Sequence, residues 1–122
     1  MKFFKCAKCG KIVAMLNEKP CPTMCCGEAM QEIVPNTVDA AKEKHVPVVN
    51  VNGNIVEVTV GSVAHPMTEE HLIEWIMLET EQGKQRKLLK AGQEPKLSFA
   101  ICDGDKVVAA YAYCNLHGLW KS

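Results

Sequence analysis

Alternating apolar and polar residues predict a β-hairpin near the middle of the chain. The stretch VPVVNVNGNIVEVTVG, residues 46–61, contains two runs rich in β-branched residues on either side of Asn52 and Gly53. An Asn-Gly pair supplies the positive φ that a type I′ turn needs. We therefore expect two antiparallel strands that are joined by a tight turn at Asn52-Gly53.

Further strands are predicted towards the end of the chain. LSFAI (97–101) and KVVAAYAY (106–113) are short apolar runs on either side of a turn signal at Asp103-Gly104. GKQRKLLK (83–90) reads as a strand with a basic solvent face. Strands in close succession with turn signals between them favour an antiparallel sandwich over βαβ units.

One segment, TEEHLIEWIMLETEQG (68–83), fits either a helix or a strand. Thr68 can cap a helix, and glutamates favour one. With the period of a strand, alternate residues instead fall on one face: His71, Ile73, Trp75 and Met77. Because the neighbouring segments are predicted strands, we expect a strand that starts near His71 after a turn at residues 67–70.

Composition limits the partners and divides the chain. Fourteen basic residues balance fourteen acidic ones, so nothing in the charge argues for wholesale binding to nucleic acid or membranes. Lysines interrupt the apolar N-terminus, so a signal peptide is not expected and a cytoplasmic location follows. The polar stretch at 34–44 reads as a connection. We expect domains at residues 1–36 and 37–122.

Seven cysteines without an export signal indicate metal binding rather than disulfides. Cys6 and Cys9, followed by a glycine, form a metal knuckle, and Cys25-Cys26 can close a tetrahedral four-sulfur site. A segment this short needs a metal to fold. Zinc and a single iron fit such a site equally well, and spacing does not exclude Cys21 as a ligand.

The four histidines and a late cysteine form a second set of candidates. A lone histidine is more often a satisfied polar residue than a ligand. Here, however, each of the four histidines lies at the edge of a predicted strand or in a turn: His45, His65, His71 and His117. Cys114 follows the last predicted strand. Strand ends on one rim of a sandwich can converge, so we expect these side chains to meet.

Both sets of residues resemble known motifs. The spacing C-x2-C-x15-C-C resembles the desulforedoxin domain, and EKHVP (43–47), HPMTEEH (65–71) and CNLHG (114–118) resemble the three motifs of superoxide reductase. The whole chain therefore resembles the desulfoferrodoxin family, which has two irons. The resemblance implies an all-β chain, with a small metal-held desulforedoxin-like domain followed by an immunoglobulin-like antiparallel β-sandwich of the neelaredoxin type.

The resemblance also implies the ligands of both irons. One iron is bound by four cysteines: Cys6, Cys9, Cys25 and Cys26. Cys21 is then not a ligand. The other is square-pyramidal, with the axial thiolate of Cys114 and four equatorial imidazoles: His45, His65, His71 and His117. Five ligands exceed the four of structural zinc and leave an octahedral metal one open position, which favours iron.

The resemblance implies a function, the one-electron reduction of superoxide to hydrogen peroxide. It also implies a homodimer whose active-site iron is re-reduced by a small donor protein such as rubredoxin. Lys44 is then the cation that attracts superoxide, and Glu43 is the carboxylate that can bind the iron after oxidation. The plainer interpretation is that Glu43 and Lys44 belong to a solvated charged connection.

Other interpretations predict different behaviour. A non-enzymatic rubredoxin-like electron carrier would not react rapidly with superoxide, and a zinc-stabilised binding module would be colourless. A dismutase would need no stoichiometric reductant. Among the remaining residues, we expect Cys102 to be buried and Trp120 to pack in the core or at an interface, close enough to the histidines to shield them. Backbone N–H groups just after Cys114, in the loop of Asn115 and Gly118, are expected to bind its sulfur.

Overall fold

The computed structural model describes all residues, Met1–Ser122, and is almost entirely β. The only helix, α1, is the single turn Lys42–His45. The strands are β1 Phe3–Lys5, β2 Ile12–Ala14, β3 Met24–Cys25, β4 Glu28–Ala29, β5 Gln31–Glu32, β6 Pro47–Asn52, β7 Ile55–Val60, β8 Ile73–Thr80, β9 Lys84–Leu88, β10 Lys96–Ala100, β11 Val107–Cys114 and β12 Gly118–Lys121. No helix has the length and apolar character needed to cross a membrane.

The chain separates into two compact units, of which the first is Met1–Val34. It contains an antiparallel sheet in the order β2-β1-β5 and a short hairpin of β3 and β4. Its buried apolar residues are few: Phe3, Cys6 and Met30. So small a core cannot offset the entropy of folding, which agrees with a unit that is held together by metal.

The second unit, Pro35–Ser122, is an antiparallel β-sandwich. One sheet has the order β10-β7-β6 and the other the order β12-β11-β8-β9. Alternate residues of β7 are fully buried, as the two-residue period of a strand requires: Val56, Val58 and Val60. They pack against the inner faces of β8, β10 and β11. The all-β prediction and the predicted sandwich are confirmed.

The predicted hairpin forms, but its turn lies one residue further along. Asn52 pairs with Ile55, so the two loop residues are Gly53 and Asn54 rather than Asn52 and Gly53. Only Gly53 has a positive φ, 60°. A glycine with positive φ at the first loop position is typical of a type II′ turn, so the predicted type I′ turn was wrong.

A β-bulge changes the predicted face of β8. Tyr113 pairs with Trp75 and Cys114 with Ile73, which leaves Glu74 as an extra residue. Ile73 therefore joins Ile76 and Leu78 in the core between the sheets. The prediction that Ile73 shares a face with Trp75 and Met77 was wrong, because strict alternation does not survive an inserted residue.

Side chains of β9 bridge the two sheets at one edge. The Gln85 amide donates to the Ala100 carbonyl at 2.8 Å, and the Lys87 ammonium donates to the Ser98 carbonyl. Lys87 also lies 5.0 Å from the ring centroid of Phe99. The basic strand predicted at 83–90 is therefore present, and the exposed Lys87 side chain reaches across to β10.

Candidate metal centres

Four cysteine sulfurs meet at the junction of two turns in the first unit. The sulfurs of Cys6, Cys9, Cys25 and Cys26 all lie within 4.8 Å of one another. Cys21 is exposed and lies outside this group. In the second turn, Cys26 and Gly27 have φ values of 51° and 78°, which reverse the chain directly after the adjacent cysteines. The four residues can therefore hold one metal ion.

Hydrogen bonds prepare the cysteine cluster for a cation. The backbone N–H of Cys9 lies 3.4 Å from the sulfur of Cys6, and this bond lowers the pKa of the Cys6 thiol to about 6. The crowded sulfur of Cys9 raises the pKa of Cys26 to about 12. Metal ions bind cysteine as the thiolate. A thiolate that lies beside crowded thiols therefore favours the binding of a cation among the four sulfurs.

A second cluster gathers residues from three distant parts of the chain at one rim of the sandwich. His45 ends α1, His65 and His71 lie between β7 and β8, and Cys114 ends β11. One donor atom from each of these four residues lies within 4.8 Å of the others. His117, in the turn before β12, brings its Nδ1 to 3.9 Å from the Cys114 sulfur.

Backbone carbonyls fix the tautomers of two of these histidines. His45 Nδ1 lies 2.7 Å from the Ala41 carbonyl, and His65 Nδ1 lies 2.6 Å from the Pro66 carbonyl. Each Nδ1 therefore carries the proton and donates it, which leaves a lone pair on each Nε2. The two Nε2 atoms are 3.2 Å apart, an approach of two lone pairs that a cation between them would relieve.

The remaining two rings complete the arrangement. His117 Nδ1 is 3.1 Å from His45 Nε2, and His71 Nε2 is buried without any hydrogen-bond partner. A buried polar nitrogen without a partner is costly, and a metal ion would satisfy it. Four imidazole nitrogens and one thiolate fit a five-ligand iron, so the donor set suits the metal that the resemblance implies.

Burial favours the neutral form of three of these imidazoles. It lowers the pKa of His65 to about 4, and it also lowers the pKa values of His45 and His71. Neutral imidazoles are the form that binds metal. Burial raises the pKa of the Cys114 thiol, whereas the backbone N–H groups of His117 and Leu116 lower it, so these two groups face the sulfur. The N–H of Asn115, which was expected to do so, donates to the Leu72 carbonyl instead.

Trp120 covers one side of the histidine cluster. It is fully buried, and its indole N–H donates to the His117 carbonyl at 3.1 Å. The predicted shielding is therefore present. Cys102, by contrast, is exposed rather than buried, because it lies in the turn that follows β10.

The charged pair before His45 is exposed on α1. The positive charge of Lys44 contributes to the lowered pKa of His71, which places that charge within electrostatic reach of the cluster. The carbonyl of Glu43 accepts hydrogen bonds from the Val63 N–H at 2.9 Å and the Ser62 hydroxyl at 3.3 Å. These bonds anchor α1 to the turn after β7.

Comparison with known proteins identifies the family. The family model described as Desulfoferrodoxin matches residues 37–122. The chain belongs to the desulfoferrodoxin family. It is 50% identical over 121 residues to the desulfoferrodoxin of Nitratidesulfovibrio vulgaris, covering 99% of this chain and 94% of that protein. It is 48% identical to a desulfoferrodoxin homolog of Archaeoglobus fulgidus, covering 100% and 96%.

A solved structure extends the likeness to the fold. The superoxide reductase from Treponema pallidum matches with a TM-score of 0.84 and 44% identity, over 99% of this chain and 97% of that one. The four-cysteine cluster and the cluster of four histidines and one cysteine match the two iron centres of the desulfoferrodoxin family.

Sequence reasoning named every member of both clusters but missed what supports them. The carbonyls of Ala41 and Pro66 could not be assigned, because backbone acceptors have no sequence signal. The side chain of Asn115 also escaped notice, although its place directly after Cys114 is a signal that could have drawn attention to it.

Proposed function

We propose that this chain is a superoxide reductase, which reduces superoxide by one electron to hydrogen peroxide at a non-heme iron. The observation that carries this proposal is the convergence of four imidazoles and a buried thiolate in one cluster. Similarity to a superoxide reductase along almost the whole chain supports it. A structural zinc site would need only four of these donors.

The proposed ligands divide between two irons. One iron is held by Cys6, Cys9, Cys25 and Cys26 in domain 1–36. The other, in domain 37–122, is held by Cys114 and four histidines: His45, His65, His71 and His117. A ferrous iron held at the second site would supply the electron that superoxide takes up. The Cys114 thiolate strengthens electron donation from that iron.

Lys44 and Glu43 serve the reaction from α1. Lys44 is exposed and electrostatically coupled to His71, so it attracts the superoxide anion towards the cluster. Its ammonium can also hold a water molecule that delivers a proton. Glu43 is exposed two residues before His45, and we assign it as the carboxylate that can bind the oxidised iron.

An external donor must restore the ferrous state, and a small electron-transfer protein such as rubredoxin suits this role. We propose a cytoplasmic homodimer. The balanced charge of the chain supports neither nucleic acid nor a membrane surface as a partner.

Product stoichiometry in the presence of a reductant tests this function directly. A reductase forms one peroxide for each superoxide consumed, whereas a dismutase forms one for every two. The Cys114→Ala variant should lose the reaction, while Cys26→Ser should keep it, because Cys26 belongs to the other cluster. A parent protein that does not react rapidly with superoxide would favour the electron-carrier interpretation, and a Cys114→Ala variant that keeps the reaction would exclude the histidine cluster as its site.

A further inference from the structure

The side chain of Asn115 binds the segment that carries His71. Its Oδ1 accepts a hydrogen bond from the Leu72 N–H at 3.0 Å, and its Nδ2 donates to the Glu70 carbonyl at 2.9 Å. Its own N–H donates to the Leu72 carbonyl at 3.2 Å. One residue therefore holds the backbone on both sides of His71.

These bonds are not those of an ordinary turn. Asparagine in turns commonly bonds to backbone groups two to four residues away. The partners of the Asn115 side chain lie 43 and 45 residues earlier in the chain. The amide therefore joins two distant segments, each of which carries members of the histidine cluster.

His71 depends on its backbone more than the other histidines do. His45 and His65 are fixed by hydrogen bonds from Nδ1 to the carbonyls of Ala41 and Pro66, and no comparable bond fixes the ring of His71. Its support is instead on the main chain, where Thr68 Oγ1 accepts from the His71 N–H at 3.1 Å. Asn115 holds the following peptide, so Thr68 and Asn115 together fix the main-chain position from which the His71 side chain extends.

We infer that Asn115 is a positioning residue that holds His71 ready for the metal. This inference rests on the proposed function, because it takes His71 to be an iron ligand. Groups that orient metal ligands change metal affinity by about 10- to 100-fold when they are removed. Asn115 would thus replace, through the backbone, the ring bond that His71 lacks.

The chain offers a matched control for the experiment. The side chain of Asn36 donates to the Lys121 carbonyl at 3.0 Å and accepts from the Lys121 N–H at 2.9 Å. It therefore makes the same two bonds to a backbone segment, but to β12 rather than to the segment of His71. Asn36 has a φ of 62°, so alanine there adds backbone strain and should destabilise the fold at least as much.

The test compares Asn115→Ala with Asn36→Ala in the iron-loaded full chain. We expect Asn115→Ala to release the iron of the histidine cluster to a chelator about tenfold faster or more, and to shift the thiolate-to-iron band of the oxidised protein. Asn36→Ala should change neither. In the metal-free chain, the Leu72 amide should exchange faster only in Asn115→Ala. Equal release rates and unchanged bands in the two variants would overturn the inference.

A second substitution keeps the test decisive if Asn115→Ala does not fold. Asn115→Asp keeps the acceptor for the Leu72 N–H but replaces the donor to the Glu70 carbonyl with a carboxylate oxygen. It should also release iron faster than Asn36→Ala, and parental release would contradict the inference. These readouts need no superoxide, so a parent protein that binds iron without reducing superoxide would refute the function and leave this inference standing.

Discussion

The indole of Trp120 stacks on the imidazole of His45, with ring centroids 4.8 Å apart and planes inclined by 26°. The same indole donates a hydrogen bond to the His117 carbonyl. One buried side chain therefore supports two members of the histidine cluster, one by packing and the other through its backbone.

The Trp120→Phe substitution separates these two contributions. Phenylalanine keeps an aromatic ring against His45 but leaves the His117 carbonyl without its donor, which should lower the free energy of unfolding by about 1–3 kcal/mol. The loss should also shift the visible band of the iron at the histidine cluster. Trp75→Phe is the control, because Trp75 stacks on Tyr113 rather than on a histidine. A band that shifts equally in both variants would argue against a specific role for Trp120.

Lys44→Met should slow the reaction with superoxide by about tenfold at low ionic strength, because a cation that steers the anion is lost. The remaining rate should depend less on salt, since screening has less attraction to act on. Pulse radiolysis at several salt concentrations measures both effects. Lys42→Met removes another exposed charge from the same helical turn and should have a smaller effect. Equal effects would indicate general charge rather than a role for Lys44.

Gly61→Ala should damage the site through sterics. A Cβ at Gly61 would lie 2.7 Å from the carbonyl oxygens of Glu43 and Lys44, so the turn after β7 or α1 must move. Gly92 has almost the same φ, 85° against 83°, but open space around it. Urea denaturation should show Gly61→Ala to be less stable than Gly92→Ala by about 1–3 kcal/mol. Only Gly61→Ala should slow the superoxide reaction, and matching behaviour would contradict the close approach.

Exchanging single cysteines tests the four-sulfur cluster. Cys26→Ser should lose that iron, and the fold of Met1–Val34 with it, because this unit buries few apolar residues. Cys21→Ser should retain both, since Cys21 lies outside the cluster. Iron content and circular dichroism provide the measurement. Iron loss in Cys21→Ser would return Cys21 to the ligand set.

The metal-free protein should lose stability as the pH falls from about 6.5 towards about 4. Burial lowers the pKa of His65 from 6.5 to about 4, and those of His45 and His71 fall in the same direction. Between these pH values, the histidines are protonated in the unfolded chain but remain neutral in the folded chain, so protonation favours unfolding. Urea denaturation across this range measures the effect. The slope should be smaller in His65→Gln, and an unchanged slope would show that His65 is not the source.

Local patterns predicted much of this fold because its strands carry their signals within short windows. The alternation of valines in β7 and the loop glycine, Gly53, are enough to place the hairpin. The position of the turn and the bulge at Glu74 were not predictable in this way. Both depend on which residues pair across strands, and pairing is decided by the core that the sheets enclose.

The candidate site shows a similar division. The side chains that can bind metal were identifiable from residue type and spacing, so the sequence was sufficient to name His45 and Cys114. Their supports were not, since the carbonyl of Ala41 is a backbone group and Asn115 contacts residues more than 40 positions away. Such contacts exist only after the sandwich has formed.

The spread of the two clusters along the chain sets an order for their assembly during synthesis. The cysteine cluster is complete once Cys26 has been made, whereas the histidine cluster also needs Cys114 and His117. While a ribosome is still translating β8 to β11, the first cluster already has all its sulfurs, and the second has only its imidazoles from His45, His65 and His71. The histidine cluster can therefore be completed only after the cysteine cluster, once β11 and the turn before β12 have been made.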